Sequence, residues 1–450
     1  MNDVYDLIVV GAGPVGENAA QYFVRGSGLT VALVEAELLG GECSYYACMP
    51  SKALLRPVSV AATTRDLRGV RPTTIDRDAL LARRDHWVSH YDDSGQASWA
   101  QSAGIDVIRG RGRVAGERRV TVGERTLTAR HAVVVATGSS PAIPPELAGV
   151  RPWTNRDATG VVEAPARLAI IGGGVVACEA ATWMAALGSR VTMFVRRRLL
   201  DRLEPFAAQL VRESLTRAGV ELRLGETVES ADRPGPGNDR LGRPHGGPVR
   251  LRVAGESLEF DELLVAAGRV PNTDVLPPGE RPGWLHLVGD VSGEPALTHW
   301  GKYRARLLGA RLRAEALGRP IPAPPADVPV PQVIFTDPEV ATVGTTLAQA
   351  RADDPHARAL DVELRSASGA ALLVDHPRGS ARLVVGGDDR VLGATFAGAE
   401  VAGTAARRHR RDRRTPHSGA AVACGAQLSH RRRGVAAAAR RDAGVSPVSP

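Results

Sequence analysis

The chain is 450 residues long, 43% hydrophobic and 24% charged, an ordinary globular composition that excludes disordered and fibrous classes. Its net charge of +8 is uneven: residues 403–450 carry 11 Arg and 2 Asp, which leaves 46 basic against 47 acidic side chains in residues 1–402. A neutral body with only two Lys, Lys52 and Lys302, against 55 Arg points to GC-rich coding and away from a specific nucleic-acid partner.

No apolar run approaches the ~18 residues of a membrane span. The start, Met1-Asn-Asp-Val-Tyr-Asp6, lacks the basic and apolar regions of a secretory leader, so the cytoplasm is the expected location. Four cysteines, Cys43, Cys48, Cys178 and Cys424, are too few for a disulfide framework.

In chain order, Tyr5–Val10 reads as a strand, Gly11-Ala-Gly13-Pro-Val-Gly16 as a tight turn, Glu17 to about Arg25 as a helix and Leu29–Val34 as a second strand ending in Glu35. Glycines at these positions permit close approach to a pyrophosphate, which a helix N-terminus attracts, and Glu35 is placed to accept from ribose hydroxyls. Next comes Gly40-Gly-Glu-Cys43-Ser-Tyr-Tyr-Ala-Cys48-Met-Pro-Ser-Lys52. On a regular helix cysteines five apart would have Cα atoms ~8–9 Å apart, beyond the ~7 Å limit of a disulfide. A bond closes only where the helix begins irregularly, and a thiolate near the helix start has a lowered pKa. Redox chemistry, metal binding and a merely structural pair stay open on spacing alone; C-x4-C is not a zinc knuckle and no second Cys/His pair with zinc spacing follows, so no metal is expected.

His131–Thr137 reads as a strand. Ala169–Ile171, Gly172-Gly-Gly174-Val-Val-Ala177, a helix from Cys178 to about Leu187 and the strand Val191–Val195 then repeat the nucleotide unit. No carboxylate follows Val195; Arg196, Arg197 and Arg198 do, which either suit a 2′-phosphate or cap a solvated loop. Residues 232–248 are Gly- and Pro-rich and read as a hairpin loop, and the six prolines of Arg319–Pro331 as a stiff connector. Val362–Arg365, Ala371–Val374, Arg382–Val385 and Val391–Phe396 are predicted as short strands. From about Gly403 the composition shifts to an Ala/Arg-rich tail without apolar periodicity. It reads either as an out-of-frame version of another C-terminus or as an authentic basic tail; translating the other two frames of the gene's 3′ end decides between them.

With both glycine turns and C-x4-C-x-P-S-K, the chain resembles the FAD-dependent pyridine nucleotide-disulfide oxidoreductases, the group of dihydrolipoamide dehydrogenase, glutathione reductase and mercuric reductase. Ala136-Thr137-Gly138, Ala267-Gly268-Arg269-Val-Pro-Asn272, Gly289-Asp290, Leu297-Thr-His-Trp-Gly-Lys302 and Phe335-Thr-Asp-Pro-Glu339-Val-Ala-Thr-Val-Gly344 extend the likeness in family order. The resemblance implies an α/β fold: two Rossmann-like domains for FAD and NAD(P), then a C-terminal α+β interface domain whose last part is replaced by an unstructured Arg/Ala-rich tail. The implied boundaries are 1–150 and 266–325 for FAD, 151–265 for NAD(P), 326–402 for an incomplete dimerisation domain and 403–450 for the tail.

It further implies that electrons pass from NAD(P)H, NADPH by the Arg cluster, through FAD to a Cys43–Cys48 disulfide and on to a small-molecule or protein-bound disulfide or dithiol. Cys48 would face the flavin and Cys43 would exchange with substrate, with Lys52 near the reactive flavin nitrogen and paired to Glu179. Gly11, Gly13, Gly16, Glu35, Lys52, Ala136, Thr137, Gly138, Gly268, Arg269, Gly289 and Asp290 would serve FAD; Gly172, Gly174, Ala177, Arg196 and Arg197 would serve the nicotinamide nucleotide. Cys178 reads as a small buried residue. Three departures stand out: Ser44-Tyr-Tyr-Ala47 replaces an apolar-Asn-Val-Gly run, the Asn272–Gly289 segment is short, and 403–450 holds no His-Pro-x-x-x-Glu motif. The alternatives are therefore a quinone or dye reductase using flavin directly, or a flavoprotein impaired by loss of the family His and of the homodimer it belongs to.

Overall fold

The computed structural model describes residues 3–402 apart from 236, 322 and 324–327; the basic tail expected at 403–450 lies outside the described residues. Val4–Val10, Val31–Glu35, Ile105–Arg109 and Arg125–Val135 form the parallel heart of a seven-stranded sheet, extended antiparallel by Arg119–Val122 and Gly112–Val114. Leu285–Leu287 returns to the same sheet beside Arg125–Val135, in parallel. Near-continuous apolar runs such as Leu7-Ile-Val-Val10 suit strands covered on both faces, and all four side chains are buried. One face packs on the helix Pro14–Val24, which lies along the long helix Thr298–Ala316.

A second sheet, all parallel, takes Glu221–Leu224, Arg190–Val195, Arg167–Ile171 and Glu262–Val265 in that spatial order. Beside it stands an antiparallel sheet of Val228–Asp232, Val249–Val253 and Glu256–Phe260, so the expected 232–248 hairpin loop is present, with 233–248 between paired strands. A short ribbon pairs Ser139–Pro141 with Arg269–Pro271, where the chain leaves and re-enters the first unit.

The C-terminal sheet is antiparallel: Gln332–Ile334, Glu339–Gly344, Val391–Gly398, Ser380–Val385 and Arg358–Glu363. Of the predicted short strands, Ala371–Val374 is not one, and Val362–Arg365 is only the end of the strand Arg358–Glu363, which gives way to a helical turn at Leu364–Ser366. Arg358–Glu363 pairs directly with Ser380–Val385, leaving the intervening apolar residues no strand to bond, and Ser368–Ala371 forms one helical turn followed by an exposed Leu372.

The helix Cys48–Arg65 lies where these units meet. Its Leu54 and Leu55 share one core with Ala177, Cys178 and Trp183 of the helix Val175–Ala186 and with Ile334, Val340 and Ala397 of the C-terminal sheet. That shared core anchors the second turn of Cys48–Arg65 on groups from elements far apart in sequence.

Candidate active site

Cys43 and Cys48 lie on different helices. Gly41–Tyr45 stops at Tyr46, Ala47 has φ −139° and ψ −92°, and Cys48 is the first residue of the next helix. The irregular start that a disulfide requires is thus present, and the two thiols, free here, are in hydrogen-bond contact. Cys48 sits at the N-terminal end of an 18-residue helix, where exposed N–H groups favour a thiolate. Donation from the Cys43 thiol, then from the Thr298 hydroxyl (Oγ1 3.3 Å from Sγ), with the Lys52 charge, holds Cys48 down to about 6 against the opposing effect of burial. The bond to Cys48, with burial, pushes Cys43 above the ordinary thiol range. The two shifts run in opposite directions, so Cys48 is the cysteine favoured as thiolate and Cys43 the one favoured as thiol.

Lys52 is one turn along. Its Nζ donates to Glu179 at 3.0 and 3.3 Å, to Ser51 at 3.2 Å, and lies 4.4 Å from the Phe335 ring centroid. The Phe335 N–H donates to the same carboxylate at 2.9 Å, so buried Glu179 joins its own helix Val175–Ala186, the helix Cys48–Arg65 and the segment that leads out of the strand Gln332–Ile334.

A cleft of about 500 Å³ runs past Cys43 and Thr298 along Gly11, Gly13, Glu35, Ala136–Gly138 and Gly289–Asp290. Gly11 has φ +99°, and a Cβ there would lie 2.5 Å from the Ala136 carbonyl oxygen, so only glycine lets the turn press on the strand beside it. Beyond it the backbone at Gly13 is open, at the start of the helix Pro14–Val24: a methyl group there would come no nearer than 4.0 Å to its closest neighbour, the Gly41 Cα. This cradle fits a dinucleotide pyrophosphate. Gly16 is buried behind it. Glu35 accepts from the Ala12 N–H at 2.7 Å and from the Glu37 N–H at 2.8 Å, which fixes its carboxylate at the strand end. Asp290 accepts from Ser139 at 2.6 Å; Arg269 donates to Ser139 at 2.7 Å and to Asn155 at 3.1 Å; Gly268 adjoins it at φ +137°. Asn272 closes the Thr137–Gly138 turn, donating to the Thr137 carbonyl at 2.9 Å and accepting from the Thr137 hydroxyl, through its own carbonyl, at 2.7 Å.

The second turn repeats the geometry: a Cβ on Gly172 would lie 2.4 Å from the Ala266 carbonyl, while Gly174 faces open space. Ala177 is fully buried behind the turn, in the first turn of the helix Val175–Ala186. Arg196, Arg197 and Arg198 are all exposed after Val195, and Arg197 pairs with Asp201 at 2.8 Å. Cys178 is fully buried and its thiol is pushed above the ordinary range by burial.

Residue types alone do not single out Thr298, the first residue of its helix, although it stands in the quoted Leu297–Lys302 motif. Asn155, Arg156 and Tyr91, which grip the segment between the cysteines, carry no sequence signal of their own.

The profile described as pyridine nucleotide-disulphide oxidoreductase matches residues 5–284, and the profile for the dimerisation domain of the same proteins matches 330–407. The chain is 34% identical over 381 residues to dihydrolipoyl dehydrogenase 3 of Pseudomonas aeruginosa, covering 76% of this chain and 78% of that one. It is 28% identical over 429 residues to a glutathione reductase of Burkholderia cepacia, covering 88% and 90%, and 30% identical over 376 residues to a mercuric reductase of Staphylococcus aureus, covering 77% and 66%. Among solved structures, LpdA of Mycobacterium tuberculosis superposes with a TM-score of 0.78 at 22% identity, covering 97% of this chain and 99% of that one. The Cu(II) complex of the HOCl-induced flavoprotein disulfide reductase RclA from Escherichia coli gives 0.77 at 21% identity, covering 94% and 95%.

Proposed function

The chain belongs to the pyridine nucleotide-disulphide oxidoreductase family, whose members use FAD and NAD(P)H, and from that premise we propose that it reduces a disulfide, or oxidises a dithiol, through Cys43 and Cys48. The observation that carries this reading is the placement of the two cysteines: Cys43 on the edge of the nucleotide-shaped cleft, and Cys48 at the start of the 18-residue helix, 3.3 Å from the Thr298 hydroxyl.

The cleft residues Gly11, Gly13, Gly16, Glu35, Ala136, Thr137, Gly138, Gly268, Arg269, Gly289 and Asp290 would hold FAD, and the turn Gly172–Ala177 with Arg196 and Arg197 the nicotinamide nucleotide, NADPH by its charge. FAD when bound supplies a two-electron relay between nicotinamide and sulfur. On this chain, two electrons and one proton delivered from NADPH break the Cys43–Cys48 bond and leave a Cys43 thiol, a Cys48 thiolate and NADP+. Thr298 and Lys52 hold the negative charge on Cys48, while Glu179 fixes Lys52 at the first turn of the redox helix. Cys43 gives up its proton and attacks a substrate disulfide, forming a mixed disulfide, and the departing substrate thiolate takes up that proton. Cys48 then attacks Cys43, restores the internal bond and releases the second substrate half as a thiolate, which takes its proton from water.

Among the described residues no helix is long and apolar enough to cross a membrane. A dithiol centre suits the reducing cytoplasm, and the dimerisation-domain match supports a homodimer. Cys43→Ser decides between this reading and direct reduction of a quinone or dye. Disulfide turnover is expected to disappear in that variant while NADPH oxidation by a quinone persists. Undiminished disulfide turnover would overturn the reading.

A further inference from the structure

The segment joining the two cysteines is held by a short helix of the second unit. Asn155–Thr159 is pinned at its own start by a reciprocal cap between Thr154 and Asp157. From this fixed turn, Asn155 Nδ2 and Thr159 Oγ1 both donate to the Tyr46 carbonyl at 3.0 Å. Asn155 Nδ2 also donates to Glu42 Oε2 at 3.0 Å. Arg156 donates through Nε to Glu42 Oε1 and pairs with Glu37 at 3.0 Å. Its guanidinium carbon lies 4.4 Å from the Tyr46 ring centroid. The Tyr46 ring also stacks on Tyr91, with centroids 5.6 Å apart and planes at 27°. Tyr91 is delivered by three successive residues with left-handed backbone, Ser89, His90 and Tyr91 at φ +48°, +51° and +62°. Such strain persists only where the surroundings over-determine it, and it clusters at functional sites.

We propose that Arg156 and the Tyr46–Tyr91 stack are positioning groups for the redox pair: they clamp residues 42–46 so that the Cys43 sulfur stays against Cys48. The inference rests on the reading of Cys43 and Cys48 as a redox disulfide. A dithiol held in place closes its disulfide more readily than one whose sulfur wanders, because less chain entropy is lost on closure. The clamp thus makes the pair more reducing. Arginine is the side chain for this task, since one planar guanidinium bonds carboxylates at its edge and stacks on a ring with its face.

The test is the thiol–disulfide equilibrium of the full-length, FAD-loaded chain in oxidised/reduced dithiothreitol buffers. The populations are trapped by alkylation and counted by intact and peptide mass spectrometry. Arg156→Gln and Tyr46→Leu are each expected to lower the equilibrium constant for closing Cys43–Cys48 by about tenfold, equivalent to a potential about 30 mV more oxidising. Tyr46→Phe, which keeps the ring, should match the parent chain. Tyr46→Leu removes no ion pair, so it decides the matter if Arg156→Gln fails to fold. A parent chain that never forms Cys43–Cys48 under oxidation would refute the redox reading and the clamp with it. A parent that forms the bond, with folded variants shifted less than about twofold, would refute the clamp alone.

Discussion

Replacing Thr298 with valine keeps the shape of the side chain and removes the hydroxyl 3.3 Å from the Cys48 sulfur. A hydrogen bond to a charged group contributes about 1.5–3 kcal/mol; at this length, to a weak sulfur acceptor, the low end applies. About 1.4 kcal/mol corresponds to one pK unit. The hydroxyl stabilises the anion, so its loss disfavours the thiolate and raises the pKa, moving Cys48 from about 6 to roughly 7. The contacts with the Cys43 thiol and Lys52 remain, which is why the rise stops short of the ordinary thiol value. At about pH 6.5 the thiolate fraction should fall roughly threefold, and by about pH 8 the two proteins should differ by about a tenth. The assay is the rate of iodoacetamide alkylation at Cys48 in the reduced protein, followed from about pH 5 to 9 by peptide mass spectrometry. Coincident profiles, or a profile shifted to lower pH, would refute the assignment of Thr298 as a stabiliser of the thiolate.

Gly11→Ala places a methyl 2.5 Å from the Ala136 carbonyl in a left-handed backbone; it should cost about 2 kcal/mol and reduce the FAD retained through gel filtration, and full retention would contradict the cradle. Arg84→Met removes a fully buried guanidinium that donates to the Val161 carbonyl at 2.8 Å and to the Thr159 carbonyl. The stranded acceptors should lower stability by about 3 kcal/mol in urea unfolding, and a loss below about 1 kcal/mol would show that water replaces the donor. Arg196→Gln with Arg197→Gln should raise the KM for NADPH several-fold while leaving that for NADH nearly unchanged, since only the former carries a 2′-phosphate. Equal effects on both would assign these residues to the solvated loop.

The parts of the site legible in the sequence are those whose chemistry is local. Gly11, Gly172 and Glu35 follow from a strand–turn–helix that needs a particular backbone, and Cys43, Cys48 and Lys52 announce themselves by reactive residue types at short spacing. The doubled unit makes the two parallel sheets readable as well. What escapes depends on tertiary approach: Asn155, Arg156 and Thr159 reach Tyr46 across more than one hundred residues of chain, and Thr298 reaches Cys48 across 250. No periodicity encodes such meetings. The mistaken strand at Ala371–Val374 has the same origin, because four apolar residues make a strand only beside a partner, and the register of Arg358–Glu363 with Ser380–Val385 leaves none. The strands Gln332–Ile334 and Glu339–Gly344 stay hidden for a complementary reason: the first is three residues long after Pro331, and the second, Glu-Val-Ala-Thr-Val-Gly after Pro338, does not alternate.

The central claim is that electrons from the nicotinamide nucleotide reach the Cys43–Cys48 pair. The direct measurement is a count of titratable thiols in the oxidised, FAD-loaded chain, before and after one equivalent of NADPH is added without oxygen. The account predicts a gain of two thiols, both assigned to Cys43 and Cys48 by peptide mapping. Oxidation of NADPH with no gain at those two cysteines would contradict it.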